Sequence, residues 1–140
     1  MEYDDIYYMN LAFKEAKKAY KKNEIPIGVV IVRNNEIISK AHNLRDSKQI
    51  VTKHAEIIAI EKANIKLNNW RLNDCILYST LEPCEMCDSI IKESKIKKVI
   101  YGAKNQNKRN ISNHYQINDQ NYIKKCESLI KSKFIEIRNK

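Results

Sequence analysis

Apolar residues in the first part of the chain return every three or four positions. Tyr8, Leu11, Ala12, Ala16, Ala19 and Tyr20 make one stripe, with Asp4 and Asp5 ahead of it as caps, and this predicts a helix over residues 4–22. The pattern then changes: "IPIGVVIV" (25–32) is β-branched and nearly continuous, as in a buried strand. Asn34-Asn35 can take turn conformations, so "EIISKA" (36–41) is expected to return as the hairpin partner, before a polar loop over 42–53. Ile57, Ile58, Ile60, Ala63 and Leu67 give "HAEIIAIEKANIK" (54–66) a broad apolar face, predicting a helix that begins near His54. "CILYSTL" (75–81) follows as a strand. Pro83 suits the start of a helix carrying Cys84 and Cys87 to about Ser94. "KKVIYGA" (97–103) is another strand, and residues 104–121 are polar and carry no clear period. A last helix is expected over 122–133, with "FIEIR" (134–138) as a short closing strand. Strands alternating with helices predict an α/β fold with helices packed on a sheet.

The chain has no internal repeat and no Pro/Gly/Ser linker. Its 140 residues, 43% hydrophobic and 31% charged, are expected to form one globular domain over 1–140. The apolar stretch 25–32 is far too short to span a bilayer, and "MEYDDIYYMN" is not a charged-then-apolar leader. With four cysteines in no framework-like spacing, the expectation is a cytoplasmic protein without disulfides. Charge changes the picture. Net charge is +9, divided as +1 over residues 1–87 and +8 over 88–140. An excess segregated in this way is the electrostatic footprint of a polyanion partner, nucleic acid above all. A composition with 21 Lys and 5 Arg also fits biased codon usage, which accounts for the lysines but not for their segregation.

The candidate chemistry lies in "STLEPCEMCDS" (79–89). Cys84 and Cys87, at i and i+3 of a helix start, put both sulfurs on one face, where the positive helix end favours thiolate. Alone, the pair is equally a redox couple or half of a structural zinc site. A structural site needs four protein ligands, and Cys75 and Cys126 form no second close pair; both suit the core better. The His-x-Glu of "HAE" (54–56) decides between them. His54 with two thiolates makes three ligands and leaves a fourth position open to water, the arrangement of a catalytic zinc. Zn²⁺ lowers the pKa of such a water toward ~7, and Glu56 is placed to shuttle its proton without binding the metal.

His-x-Glu followed by Pro-Cys-x-x-Cys is the zinc-deaminase signature. Over residues 5–103 the chain resembles the bacterial-type tRNA adenosine deaminases, through "EIPIGVVIV", "AHNLR", "HAEIIAIEKA", "NNWRL", "LYSTLEPCEMC" and "KIKKVIYGA". That resemblance implies a cytidine deaminase-like fold, three layers α-β-α around a central mixed five-stranded sheet. It implies Zn²⁺ on His54, Cys84 and Cys87, Glu56 as general acid/base, and Asn43 hydrogen-bonded to the target nucleoside. It further implies a homodimer and hydrolysis of adenosine to inosine at the wobble position, 34, of a tRNA anticodon stem-loop. From the basic C-terminal region, Lys108, Arg109, Lys131 and Lys133 are the candidate RNA contacts. A small-molecule deaminase acting on cytosine, cytidine or guanine is the alternative, and an inactive zinc-binding partner subunit is a third reading that Glu56 argues against.

The chain departs from that family where RNA contacts are expected. Gln49-Ile50-Val51-Thr52-Lys53 replaces the usual Asp-Pro-Thr-Ala ahead of the histidine, and Asp88-Ser89-Ile90 stands where small residues around a glycine are preferred. "KNQNKRNIS" (104–112) replaces a Gly-rich loop, and Lys133-Phe134 a pair of phenylalanines. The metal-binding positions are untouched.

Overall fold

The fold comes from a computed structural model that describes residues 4–105 and 113–138. Helix α1 (Asp5–Lys21) starts where the Asp4 carboxylate accepts the Tyr7 N–H at 3.0 Å, the expected cap. It buries Tyr8, Met9, Ala12, Ala16 and Ala19 at helical spacing. It ends in a Schellman-type closure: Asn23 takes φ 61°, and the Glu24 N–H reaches back to the Ala19 carbonyl at 3.0 Å. Asparagine here fills the left-handed position that glycine usually occupies.

Strands β1 (Gly28–Arg33) and β2 (Glu36–His42) form the expected hairpin. Asn34 and Asn35 both have positive φ, 51° and 62°, as a type I′ turn requires. The polar stretch that follows holds a single helical turn, α2 (Arg45–Lys48), and then come α3 (Ala55–Leu67), β3 (Cys75–Leu81), α4 (Glu85–Glu93) and β4 (Lys98–Ala103). Beyond the undescribed segment lie β5 (His114–Gln116) and α5 (Gln120–Arg138). The sheet order is β2-β1-β3-β4-β5, with β1 antiparallel to both neighbours and β3, β4 and β5 mutually parallel.

Alternation along β1 divides the core between the two faces of the sheet. Val29 and Ile31 pack with Leu77, Val99, Ala59, Ile60 and Ile91 on the side of α3 and α4. Val30 and Val32 pack with Tyr8, Met9, Tyr78, Ile100 and Ile123 on the side of α1 and α5. The architecture is therefore three-layered, α-β-α, around a mixed five-stranded sheet.

One element differs from expectation. Residues 134–138 are not a strand; they are the last turns of α5, and the fifth strand is His114–Gln116. The β-branched run misleads because it is not buried as a strand would be: Phe134 and Ile135 are about half exposed. Burial in α5 instead falls on Ile123, Cys126 and Lys133, one face of a helix. β5, with the sequence His-Tyr-Gln, has no apolar alternation and is held by backbone pairing to β4.

Gly28 is where α1 meets the sheet. A Cβ there would lie 1.9 Å from the Ala12 carbonyl oxygen and 2.4 Å from the Ala16 nitrogen, both backbone atoms that cannot move aside. We expect Gly28→Ala to lose about 3 kcal/mol or more of stability, at or above the top of the range for overpacked cores. Urea unfolding of the variant and wild type measures this, and a loss below about 1 kcal/mol would contradict the close approach.

Candidate active site

Two helices begin at one place on the sheet, and their first residues make the site. His54 is the N-cap of α3, and Cys84 is the N-cap of α4, reached from β3 through Leu81-Glu82-Pro83. Both have extended backbone, and neither caps its own helix with its side chain. Their side chains are thus left to point at each other. His54 Nδ1 lies 3.8 Å from Cys84 Sγ and 3.4 Å from Cys87 Sγ. Cys87, one turn into α4, is fully buried, whereas His54 and Cys84 are half-buried.

All three donor atoms lie within 4.8 Å of one another, and among the described residues no other group of three His, Cys, Asp or Glu side chains does. Ordinary zinc bonds to nitrogen and sulfur, set tetrahedrally, separate the two donors by about 3.5 Å. The N–S distances here bracket that value. Glu56, in the first turn of α3, is buried beside the same cluster, and its Oε1 has no hydrogen-bond partner. A buried acceptor left unmatched costs stability, so it is expected to face a donor such as a bound water. Three N/S donors with a buried carboxylate close by fit a zinc ion whose fourth ligand is not a protein side chain, and do not fit a closed structural site of four protein ligands. Cys75 and Cys126 lie elsewhere, buried in the core.

The three donors are also coupled electrostatically. The Cys84 thiol is lowered to about 3, because Cys87 and then His54 hydrogen-bond its sulfur. Cys87 is pushed up by the same contact, being the partner that keeps its proton, and burial adds to the effect. His54 is raised, first by its hydrogen bond to Cys84. Burial raises Glu56 above the usual carboxylate range.

Asn43 is buried just past the end of β2, its N–H donated to the Ile27 carbonyl at 3.1 Å. Arg45, which sequence reasoning did not single out, lies close enough that its charge opposes protonation of His54. Of the candidate RNA contacts, Lys131 is exposed on α5, while Lys108 and Arg109 lie outside the described residues. Lys133 is a correction. It is 2% exposed, and its Nζ donates to the Tyr20 carbonyl at 3.0 Å and to Asn23 Oδ1 at 3.4 Å, so it is an internal cation and not a surface one.

A His/Cys/Cys cluster with a buried glutamate, at the starts of two helices packed on a mixed sheet, is the site of a zinc-dependent deaminase. Residues 2–103 match the family described as the cytidine and deoxycytidylate deaminase zinc-binding region. A tRNA-specific adenosine deaminase from Streptococcus pyogenes serotype M1 is 46% identical over 114 residues, which cover 81% of this chain and 67% of that protein. One from Bacillus subtilis is 50% identical, covering 71% of this chain and 62% of its own length. One from Aquifex aeolicus is 42% identical, covering 81% and 76%. Among solved structures, one from a study of A-to-I editing by tRNA:A34 deaminases superposes with a TM-score of 0.75 at 31% identity, covering 80% of this chain and 98% of that one. A Bacillus subtilis guanine deaminase does so with a TM-score of 0.69 at 35% identity, covering 73% and 66%. The chain belongs to the cytidine and deoxycytidylate deaminase zinc-binding family, with the tRNA-specific adenosine deaminases among its relatives. The matched stretch spans about two thirds of the S. pyogenes and B. subtilis proteins.

No helix among the described residues is long and apolar enough to cross a membrane.

If the three donors hold one ion, the purified protein should carry about one zinc per chain. Cys84→Ser and Cys87→Ser should each lose most of it, with a lower melting temperature because binding the ion is coupled to ordering the site. Atomic absorption and thermal melts measure both. Full zinc occupancy in the double variant Cys84→Ser/Cys87→Ser would exclude this ligand set.

Proposed function

We propose that this protein is a zinc-dependent hydrolase that deaminates adenosine to inosine at position 34, the wobble position, of tRNA. The observation that carries the reading is the convergence of His54, Cys84, Cys87 and the unpartnered Glu56 Oε1 in a chain 42–50% identical to proteins known as tRNA-specific adenosine deaminases.

His54 Nδ1 and the two sulfurs would hold the zinc ion. Bound there, the ion acidifies water to supply a nucleophile at neutral pH. Water adds at C6 of adenine, the amino group leaves as ammonia, and inosine remains. Glu56 takes the proton from the attacking water and passes protons on to the base and the departing amine. Burial suits it to this role, because a carboxylate held away from bulk solvent keeps the relayed proton in the site. Asn43 orients the flipped-out base by hydrogen bonding from the end of β2.

RNA rather than a free base is supported by the +8 charge of residues 88–140. Lys104, Lys124, Lys125 and Lys131 are all exposed. Lys104 and Lys131 flank a groove of about 660 Å³ lined by Leu81, Ala103, Phe134 and Ile135. Leu81, the last residue of β3, is three residues ahead of Cys84 in the chain. A single-stranded loop, with bases that unstack cheaply, suits such a surface. The likeness to a guanine deaminase at 35% identity favours a small base as the second reading. A homodimer in the cytoplasm completes the proposal; Ile50 and Val51, exposed just ahead of His54, give a second copy an apolar surface to cover.

Glu56→Gln should keep its zinc and its RNA affinity while losing about 10²-fold or more in single-turnover rate, since only proton transfer is removed. Loss of zinc from that variant would make Glu56 a ligand and overturn its assigned role.

Substrate class has its own test. On an anticodon stem-loop carrying A34, affinity should fall steeply with salt as phosphates exchange counterions for lysines. Lys104→Ala/Lys131→Ala should flatten that slope by about one unit for each phosphate no longer neutralised, with zinc content unchanged. Equal, shallow slopes for wild type and variant, together with turnover of free guanine or cytidine, would transfer the chemistry to a small-molecule substrate.

A further inference from the structure

Glu24 is a carboxylate with no exposed surface, placed where α1 has ended and β1 has not begun. Both of its oxygens are directed at the start of α2. The Asp46 N–H donates to Oε1 at 3.1 Å, and the Ser47 N–H and hydroxyl both donate to Oε2. Such an arrangement needs a reason, because α2 cannot support itself. A helix of four residues is below the length at which helical propensity matters, and none of its residues is buried. Its N-cap, Leu44, offers no side-chain hydrogen bond. The cap comes instead from a residue twenty-two positions upstream.

The turn that Glu24 holds lies between two parts of the site. On its N-terminal side is Asn43, whose Oδ1 accepts the N–H of Arg45, the first residue of α2, at 3.5 Å. On its C-terminal side, the Leu44 N–H binds the Lys53 carbonyl at 2.9 Å and so closes the loop one residue before His54. The position of α2 therefore sets which way the Asn43 amide faces. With its oxygen turned toward α2, the amide nitrogen is the end left to be directed elsewhere.

We infer that Glu24 is a positioning residue: by capping α2 from outside the loop, it fixes the Asn43 amide in the orientation in which it meets the base. The inference rests on the proposed role of Asn43 as a base contact. Its energetic basis is general: charge-assisted hydrogen bonds from backbone N–H groups are strong, and a misplacement of about 1 Å at a site can cost on the order of 100-fold in rate.

A double-mutant cycle on the zinc-loaded, full-length protein tests it, using Glu24→Ala, Asn43→Ala and the double variant, with kcat and KM measured on the A34 stem-loop. Glu24→Ala should lower kcat/KM by about 10- to 100-fold with zinc content at the wild-type value. In the Asn43→Ala background the same change should cost less than about twofold, because the group through which Glu24 acts is already gone. Multiplicative losses would overturn the inference, as would an unchanged kcat/KM in Glu24→Ala. Should Glu24→Ala fail to fold, Glu24→Gln takes its place in the cycle. It keeps the volume but turns an NH₂ toward a donor, so it should show the same coupling with a smaller loss. Amide exchange is followed in parallel: protection of the Asp46 and Ser47 N–H groups should drop in the Glu24 variant while β1 stays protected, and unchanged protection would also overturn the inference. If wild type leaves the stem-loop unconverted but deaminates guanine or cytidine, the proposed substrate is wrong, and the same cycle on that base still tests Glu24.

Discussion

Everything at the site depends on two helices starting at the same point. α3 and α4 each begin with a residue in extended conformation whose side chain leaves its own helix uncapped. The unsatisfied N–H groups and the positive ends of both helices are therefore gathered around two sulfurs and an imidazole. The sheet fixes where this happens. Past the end of β3, the Glu82 N–H still reaches the Ala103 carbonyl at 2.8 Å, carrying the pairing with β4 to the residue before Pro83. Pro83 is buried and has no N–H with which to continue the ladder, so the chain turns there and Cys84 opens α4. The Asn43 N–H on Ile27 extends the hairpin in the same way. Asn43 and Cys84 thus follow closely on the ends of β2 and β3, whereas His54 is reached through the loop of residues 43–53.

Most of this was legible in the sequence because it rests on local rules. A nearly continuous β-branched run over 25–32, an Asn-Asn turn and an aspartate ahead of an apolar stripe each state their own structure. His54, Glu56, Cys84 and Cys87 were legible for another reason: the spacing of metal donors is itself chemical information, and each pair sits within one helical turn. What escaped was set by distant partners. β5 exists because its backbone pairs with β4, and nothing in His-Tyr-Gln announces a strand. α2 exists because Glu24 caps it across twenty-two residues, and the stretch "EIPIGVV" shows only a glutamate before a strand. Residues 134–138 read as β because local propensity favours it; α5 overrides that propensity through the helical stripe begun at Ile123.

Charge counting failed at one residue, and the failure is informative. Lys133 contributes to the basic excess of the C-terminal region, yet its ammonium is enclosed. It lies 4.0 Å from the Tyr20 ring centroid and 3.5 Å from Glu136, while bonding the Tyr20 carbonyl. A buried cation is tolerated only where such partners replace its water. One of them is the Tyr20 carbonyl in the last turn of α1, where the helix dipole also favours positive charge. Tyr20 adds a second tie, its hydroxyl donating to Glu136 at 2.7 Å.

The end of α1 is consequently a junction. From one side, α5 is anchored to it by Lys133 and Glu136, through Tyr20 and Asn23. From the other, Glu24, the residue after Asn23, reaches out to hold α2 and with it the loop between Asn43 and His54. The left-handed turn at Asn23 makes both possible, since it reverses the chain tightly enough to bring an Asn23 oxygen to Lys133 while aiming the next side chain the opposite way. A surface helix that bears exposed lysines and the loop that carries the base-contact candidate are in this way referenced to the same few residues of backbone. Glycine at position 23 would satisfy the turn, but it would remove the Oδ1 acceptor that Lys133 uses. Asparagine at position 23 thus serves two ends, the left-handed turn that closes α1 and an acceptor for the enclosed Lys133 ammonium.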